Sequence, residues 1–277
     1  MLKTLYHYWL KHQYGSQLEQ LRQDFRKLTF FIKTFERPEA LKKALDSIDL
    51  HYGFLGKDVN ILIADDSEQP SLPDKSYPFN LTYFRLDFDQ GASFGRNYLL
   101  SHTKTPYFIL LDDDYVFTRH TKIERFVHLI EKYPEIDILA GSVYNRGKKK
   151  VDCACRMNID NQVLYKLKKP YKIKDDLKFY DMVVNFFIAK TDKIKELRWD
   201  DELKTVEHSA FFIKAMNHGL ISPETDSVSI HHLRPKNSLY KKFRKDRVEY
   251  YAGLFKQMYQ INEIVMLEKE SDVPVTD

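Results

Sequence analysis

Tyr107-Phe108-Ile109-Leu110-Leu111-Asp112-Asp113-Asp114 is an uninterrupted apolar run that stops in three adjacent carboxylates. Such a run reads as a buried strand whose C-terminal end emerges at a surface, and ligands sit at such strand ends in open α/β sheets. Contiguous carboxylates repel one another, and their pKa values rise unless a cation or hydrogen-bond donors compensate the charge. Strand alternation puts Asp112 and Asp114 on one side and Asp113 on the other, so an Asp-x-Asp pair can face a common ligand. Oxygen ligands of this kind suit Mg²⁺ or Mn²⁺ carrying a phosphate. The plainer alternative is a solvated acidic turn.

Upstream, Leu28-Thr29-Phe30-Phe31-Ile32-Lys33-Thr34 is a short apolar strand, and Pro38 stands at a helix start. Ala40, Leu41, Ala44, Leu45 and Ile48 recur at the spacing of an amphipathic helix. A second buried strand over 59–64 also ends in acids, Asp65-Asp66-Ser67. This β-α-β unit favours a parallel sheet with a right-handed crossover and sets Asp65 and Asp66 on the same edge as Thr34 and Asp112. A further strand over 81–86 leads into Gly91-Ala92-Ser93-Phe94-Gly95-Arg96-Asn97. Its glycines allow close backbone approach to a ligand, and Arg96 is a planar donor suited to phosphate. The spacing matches neither a Walker loop nor the Rossmann glycine pattern.

Downstream, Ile123, Phe126, Val127, Leu129 and Ile130 mark a helix that ends at Tyr133-Pro134, and 136–143 is another strand. Alternation over 153–164 suggests antiparallel strands, and lysine-rich 166–178 reads as an exposed excursion. Val183-Val184-Asn185-Phe186-Phe187-Ile188-Ala189 is a strand with one amide in an apolar run. A buried Asn needs partners, so Asn185 is either a structural hydrogen bonder or an acceptor contact. Thr191-Asp192 caps a short helix, residues 207–216 form another that closes at His218-Gly219, and 227–232 is a last strand ending in His231-His232.

The chain divides into a helical N-terminal appendage (1–26) with a break near Gly15-Ser16, one α/β domain (27–235) and a basic helical C-terminal appendage with a flexible tail (236–277). The two cysteines, Cys153 and Cys155, are too few and too close for a disulfide framework. That points to a reducing cytoplasm. No apolar segment approaches the roughly 20 residues that span a bilayer, and no signal-peptide core follows Met1-Leu2-Lys3. The protein is therefore expected to be soluble or peripheral at a membrane through its amphipathic or basic ends. The formal charge is +4, with basic clusters at 148–150, 166–174 and 236–247. Nucleic acid is a poor fit, because the aromatic residues follow core patterns instead of interleaving with the lysines.

Thr34, Asp65-Asp66, Asp112 to Asp114 and an imidazole thus sit at separate strand ends. If these converge, a nucleotide-sized cleft joins a hard-cation site. Hydrolysis is conceivable there, but group transfer fits better: a cation neutralises a diphosphate leaving group while a carboxylate deprotonates an acceptor hydroxyl. Glu207 is the candidate base at a helix start, where a glutamate also serves simply to offset the helix dipole. His208 can share or replace that role.

Lys33-Thr34-Phe35-Glu36-Arg37, Ile63-Ala64-Asp65-Asp66-Ser67, Phe94-Gly95-Arg96-Asn97, Leu111-Asp112-Asp113-Asp114-Tyr115-Val116-Phe117 and Val183-Val184-Asn185-Phe186-Phe187 resemble, in order, the motifs of inverting GT-A glycosyltransferases. They are most similar to the ganglioside and Sd(a)-type β-1,4-N-acetylgalactosaminyltransferases. The resemblance implies a Rossmann-like, mostly parallel central sheet flanked by helices and a UDP-linked sugar donor, with GalNAc the best guess. It also implies a Mn²⁺ or Mg²⁺ site at Asp114, Asp112 and His231, with His231 favoured over His232. Thr34, Arg37, Asp65, Asp66, Arg96, Asp112 and Asp113 would bind the donor. A bacterial enzyme that decorates capsule or lipooligosaccharide glycans, with an acceptor held by the basic 166–174 and C-terminal segments if it is acidic, is the expectation. One departure stands out. Relatives usually carry an acid just before the paired phenylalanines, where this chain has Ala210. Three explanations stay open: Glu207 or His208 is the base, the chain is a UDP-sugar- or glycan-binding pseudoenzyme, or the alanine was introduced in place of an acid. A transferase of a different sugar is the enzymatic alternative.

Overall fold

The computed structural model describes residues 2–146, 148–234 and 238–269. Helices α1 (Leu2–Tyr14) and α2 (Leu18–Arg26) lead, joined by a short turn at Gly15–Gln17. β1 (Leu28–Thr34), α3 (Pro38–Tyr52), β2 (Asn60–Asp65), β3 (Asn80–Arg85), α4 (Ala92–His102) and β4 (Tyr107–Asp112) follow. Beyond the acids come β5 (Tyr115–Val116), α5 (Ile123–Lys132), β6 (Ile138–Asn145), β7 (Lys149–Lys150), β8 (Arg156–Asp160), β9 (Val163–Leu167), β10 (Lys172–Lys174), β11 (Leu177–Tyr180) and β12 (Phe187–Lys190). The remaining elements are α6 (Thr191–Leu197), α7 (Glu207–Asn217), β13 (Ser222–His232), α8 (Ser238–Met258) and β14 (Glu263–Leu267).

The main sheet runs β10-β11-β13-β6-β12-β4-β1-β2-β3, with β5 paired to β13 and β7 to β6. Its β3-β2-β1-β4 half is parallel, built by the crossovers α3 and α4. Register sets Lys33 opposite Asp112 and Thr34 opposite Asp65, so the polar ends of these strands share one edge. The other half is more mixed than the sequence suggests. β12 is antiparallel to both β4 and β6, while β13 runs parallel to β6. A short strand buried on both faces has no alternation to betray its direction.

The C-terminal segment also departs from expectation. α8 stops at Met258, and β14 then adds to β9 in a separate sheet ordered β14-β9-β8. The expected flexible tail, residues 270–277, lies outside the described residues.

Aromatic packing fixes the elements that carry the site. Phe31 and Phe108 stack at 4.3 Å between β1 and β4. Trp199 stacks on Phe211 of α7 at 4.5 Å, and Phe211 lies against Phe187 of β12 at 6.2 Å. Each such buried ring contributes roughly 1.5–3 kcal/mol, enough to lock the rotation of α7 against the sheet.

Candidate active site

A cleft of about 680 Å³ opens at the C-terminal edge of β1 and β4. Asp112 and Asp114 line it, as alternation requires. Asp113 turns the other way into full burial, where it accepts from Thr34 Oγ1 at 2.7 Å and pairs with Arg37. The expected contact of Asp113 with donor is therefore corrected: it anchors Arg37. Arg37 Nη1 also reaches Asp114 at 3.1 Å, and Arg96 Nη2 stands 3.5 Å from Asp112. Burial raises the pKa of Asp113, against the pull of Arg37. Burial likewise raises that of Asp112, opposed by Arg96. At Asp114 burial acts in the same sense but is outweighed by the hydrogen bond with His232 and the charge of Arg37, so its value falls below the usual carboxylate range.

The imidazole beside the acids is His232, correcting the expectation of His231. His232 Nε2 lies 3.0 Å from Asp114 Oδ2 and lines the cleft. β5 follows directly from the acids and pairs antiparallel with β13, His231 opposite Val116 and His232 opposite Tyr115. Leu233 N donates to the Asp114 carbonyl at 3.0 Å. β13 has a register irregularity between Glu224 and Ser229, which a count of alternation from sequence does not see.

Two carboxylates and an imidazole on one wall fit Mn²⁺ or Mg²⁺ by donor type. Among the described residues no three His, Cys, Asp or Glu side chains are grouped so that they could hold a metal ion by themselves. Mg²⁺ sites are commonly open in this way, with substrate phosphates and water supplying further oxygens.

The cleft is also lined by Lys33, Phe35, Asp66 and Gly91. Asp65 is buried behind this wall, accepting from Ser67 N at 2.9 Å and Ser71 N at 2.7 Å. It shapes the turn and, like Thr34, is absent from the cleft surface. Asp66 accepts from Gly91 N at 2.7 Å and pairs with Lys33. The two glycines make room for lysine side chains: Gly91 has φ 96°, and a Cβ there would lie 2.6 Å from Lys204, while one at Gly95 would lie 2.7 Å from Lys33.

The third wall is the start of α7. Glu207 lines the cleft and accepts from Arg96 Nη1 at 2.8 Å. Arg96 also lines the cleft, where it links Asp112 to Glu207. Asn97 Nδ2 donates to the Trp199 carbonyl at 2.8 Å, tying α4 to the loop before α7. His208 is not at the cleft surface. Its Nδ1 lies 2.6 Å from Asn185 Oδ1, and burial pushes its pKa down to about 4, so it is a neutral partner that orients Asn185, which does line the cleft. Ala210 is 1% exposed and belongs to the core. Its carbonyl accepts from the Tyr259 hydroxyl at 3.2 Å. Glu207, one helical turn earlier, is the carboxylate that α7 presents.

The basic 166–174 excursion is not at the site. Lys166 is buried with its Nζ 2.9 Å from Ser209 Oγ, and Lys168 pairs with Asp152 at 2.8 Å. Besides Lys33, Arg37 and Arg96, the cations that line the cleft are Arg146, Lys204, Arg234 and Arg247, joined by Phe243. Arg247 belongs to the basic 236–247 cluster noted in the sequence, whereas Arg146, Thr205 and Arg234 come from loops with no periodicity to mark them. The only signal was a basic residue just past each of two strand ends, Asn145-Arg146 and Leu233-Arg234.

A parallel half-sheet, an antiparallel β12 and carboxylates at the end of β4 define a glycosyltransferase domain of the GT-A fold. The chain belongs to Glycosyl transferase family 2, whose pattern matches residues 29–197. It is 30% identical over 231 residues to Beta-1,4 N-acetylgalactosaminyltransferase 2 of Mus musculus, covering 82% of this chain and 44% of the relative. It is 29% identical over 213 residues to Beta-1,4 N-acetylgalactosaminyltransferase 1 of Homo sapiens, covering 74% of this chain and 38% of the relative. The chain thus spans less than half the length of these relatives. Among solved structures, that of GalNAc-T7 with UDP, GalNAc and Mn²⁺ superposes with a TM-score of 0.58 at 16% identity, over 83% of this chain and 50% of that one.

Proposed function

We propose that the chain transfers a sugar, GalNAc as the best guess, from a UDP-sugar to a hydroxyl of a glycan acceptor with inversion at the anomeric carbon. The observation that carries this reading is one cleft with a metal-type donor set on one wall and Glu207, fixed by Arg96, on another. Asp114, Asp112 and His232 would hold Mn²⁺ or Mg²⁺, which supplies charge neutralisation to the departing diphosphate. Glu207 takes the proton of the acceptor hydroxyl as its oxygen bonds to the anomeric carbon. The bond from that carbon to the β-phosphate oxygen breaks, and UDP leaves with the electron pair. Arg37 and Arg96 hold the acids and the base in place before substrate arrives.

Arg146 and Arg234, both exposed at the rim, suit an acidic group on the acceptor, consistent with a bacterial capsule or lipooligosaccharide glycan assembled at the cytoplasmic side of a membrane. Among the described residues no helix is long and apolar enough to cross a membrane. The burial of Ala210 beside an accessible Glu207 favours an active transferase over a binding-only protein.

Thermal melts with a panel of UDP-sugars and Mn²⁺, repeated in EDTA, test the reading. A ligand at 100 times its Kd stabilises by about 2.7 kcal/mol, and the gain should vanish in EDTA. UDP release should then require a glycan acceptor. No shift with any UDP-sugar would sink the proposal.

A further inference from the structure

α1 is apolar on both of its long faces. On the inner face Leu10 is buried, Tyr14 stacks on Phe54 at 5.9 Å, and His7 Nε2 donates to the Asp49 carbonyl at 2.8 Å. These contacts hold the helix against α3 and the segment that follows it. On the outer face Leu2, Leu5 and Trp9, spaced three and four residues apart, form one stripe with Tyr8 at its margin. Leu2 is 85% exposed, Leu5 61%, Tyr8 74% and Trp9 51%. Single exposed apolar side chains are ordinary on a protein surface, but a contiguous row of them marks an interaction site. Tyr6 stacks on Trp9 at 5.6 Å and meets His51 edge-on at 6.2 Å, so the indole is braced from within while half of it faces out.

Charge selects what covers the stripe. α1 carries Lys3, Lys11 and His12 and no Asp or Glu. Lys3 pairs with Asp49, Lys11 is exposed one turn beyond Tyr8, and Lys122 Nζ sits 5.8 Å from the ring of Tyr14 at the end of the helix. Trp and Tyr settle at the boundary between hydrocarbon and headgroups, and lysines beside such a face meet anionic lipid. A second copy of the chain fits less well. Two α1 helices pressed together would set Lys11 and His12 of each against a helix with no acid to offset them.

We propose that the outer face of α1 docks on a membrane surface containing anionic phospholipid, with Leu2, Leu5 and Trp9 entering the boundary between headgroups and acyl chains and Lys11 remaining among the phosphates. α1 lies outside the segment 29–197 matched by the family, and none of these residues lines the cleft. The test is co-sedimentation with vesicles of phosphatidylcholine alone and of phosphatidylcholine mixed with phosphatidylglycerol. The wild-type chain should pellet with the mixed vesicles and stay in solution with the neutral ones. Leu5→Ser combined with Trp9→Ser should lower the partition coefficient about tenfold and leave Tm unchanged, since both side chains already face water. Lys11→Glu should also lower it, and added salt should narrow the difference between Lys11→Glu and wild type. The other tryptophan, Trp199, is 3% exposed, so a blue shift of emission on binding reports Trp9. Absence of binding to the mixed vesicles, equal binding by the wild type and the double variant, or binding with no emission shift would overturn the proposal. A wild-type dimer that the double variant dissociates would overturn it too, by giving the face to a second copy.

Discussion

Glu207 and Ala210 sit one helical turn apart on α7, and their environments assign them opposite fates. Glu207→Gln keeps the size and the contact with Arg96 but removes the proposed base, so kcat should fall about 10²- to 10⁴-fold with UDP affinity intact; a variant that retains turnover would move the base elsewhere. Ala210→Glu should not add activity. It would force a carboxylate into the core, an uncompensated burial, and a differential scan should show Tm lowered by at least about 5 °C. His208 makes a pH prediction. Held near 4 by burial against an ordinary value of 6.5, it refuses a proton that the unfolded chain accepts. Its contribution to stability is therefore present above pH 6.5 and lost as pH falls towards 4. Urea titrations of wild type and His208→Gln across that range should converge at low pH. The comparison of the two isolates His208 from Asp112 and Asp113, whose raised values act in the opposite sense.

α7 is the element on which the proposed chemistry depends, because Phe211 packs between Trp199 and Phe187 while Glu207 starts the same helix. Phe211→Ala should cost about 3–5 kcal/mol, seen as a lowered urea midpoint. α3, α5 and α7 were legible in the sequence, since their apolar positions repeat at helical spacing between recognisable starts and stops. The ends of β1, β2 and β4 were legible too, because polar residues, acids in β2 and β4, interrupt their apolar runs. The strand containing β12 was legible but its direction was not, because its buried residues carry no alternation that reports orientation. His232 was hidden because the choice between adjacent histidines depends on how β13 pairs with β5 just beyond the acids. The cationic rim was hidden because its residues meet only after the loops and α8 are folded back on the sheet.

At the scale of the molecule, a formal charge of only +4 conceals a cleft edged by Arg146, Lys204, Arg234 and Arg247. The screening length shortens from about 10 Å at 0.1 M salt to about 3 Å at 1 M. The KM for an acidic acceptor should accordingly rise with salt, and that for a neutral one should not; equal salt responses would argue against an electrostatic role for the rim. The pairing of β14 with β9 bears on how the molecule is made. Val163 pairs with Glu263, so a ribosome emits the two partners about a hundred residues apart, roughly 5–20 s at ordinary elongation rates. Throughout that interval the outer edge of β9 is an open strand on a nascent chain, the form most prone to pair with a neighbour. Slowing translation late in the message should therefore lower the soluble yield of the protein more than slowing it early.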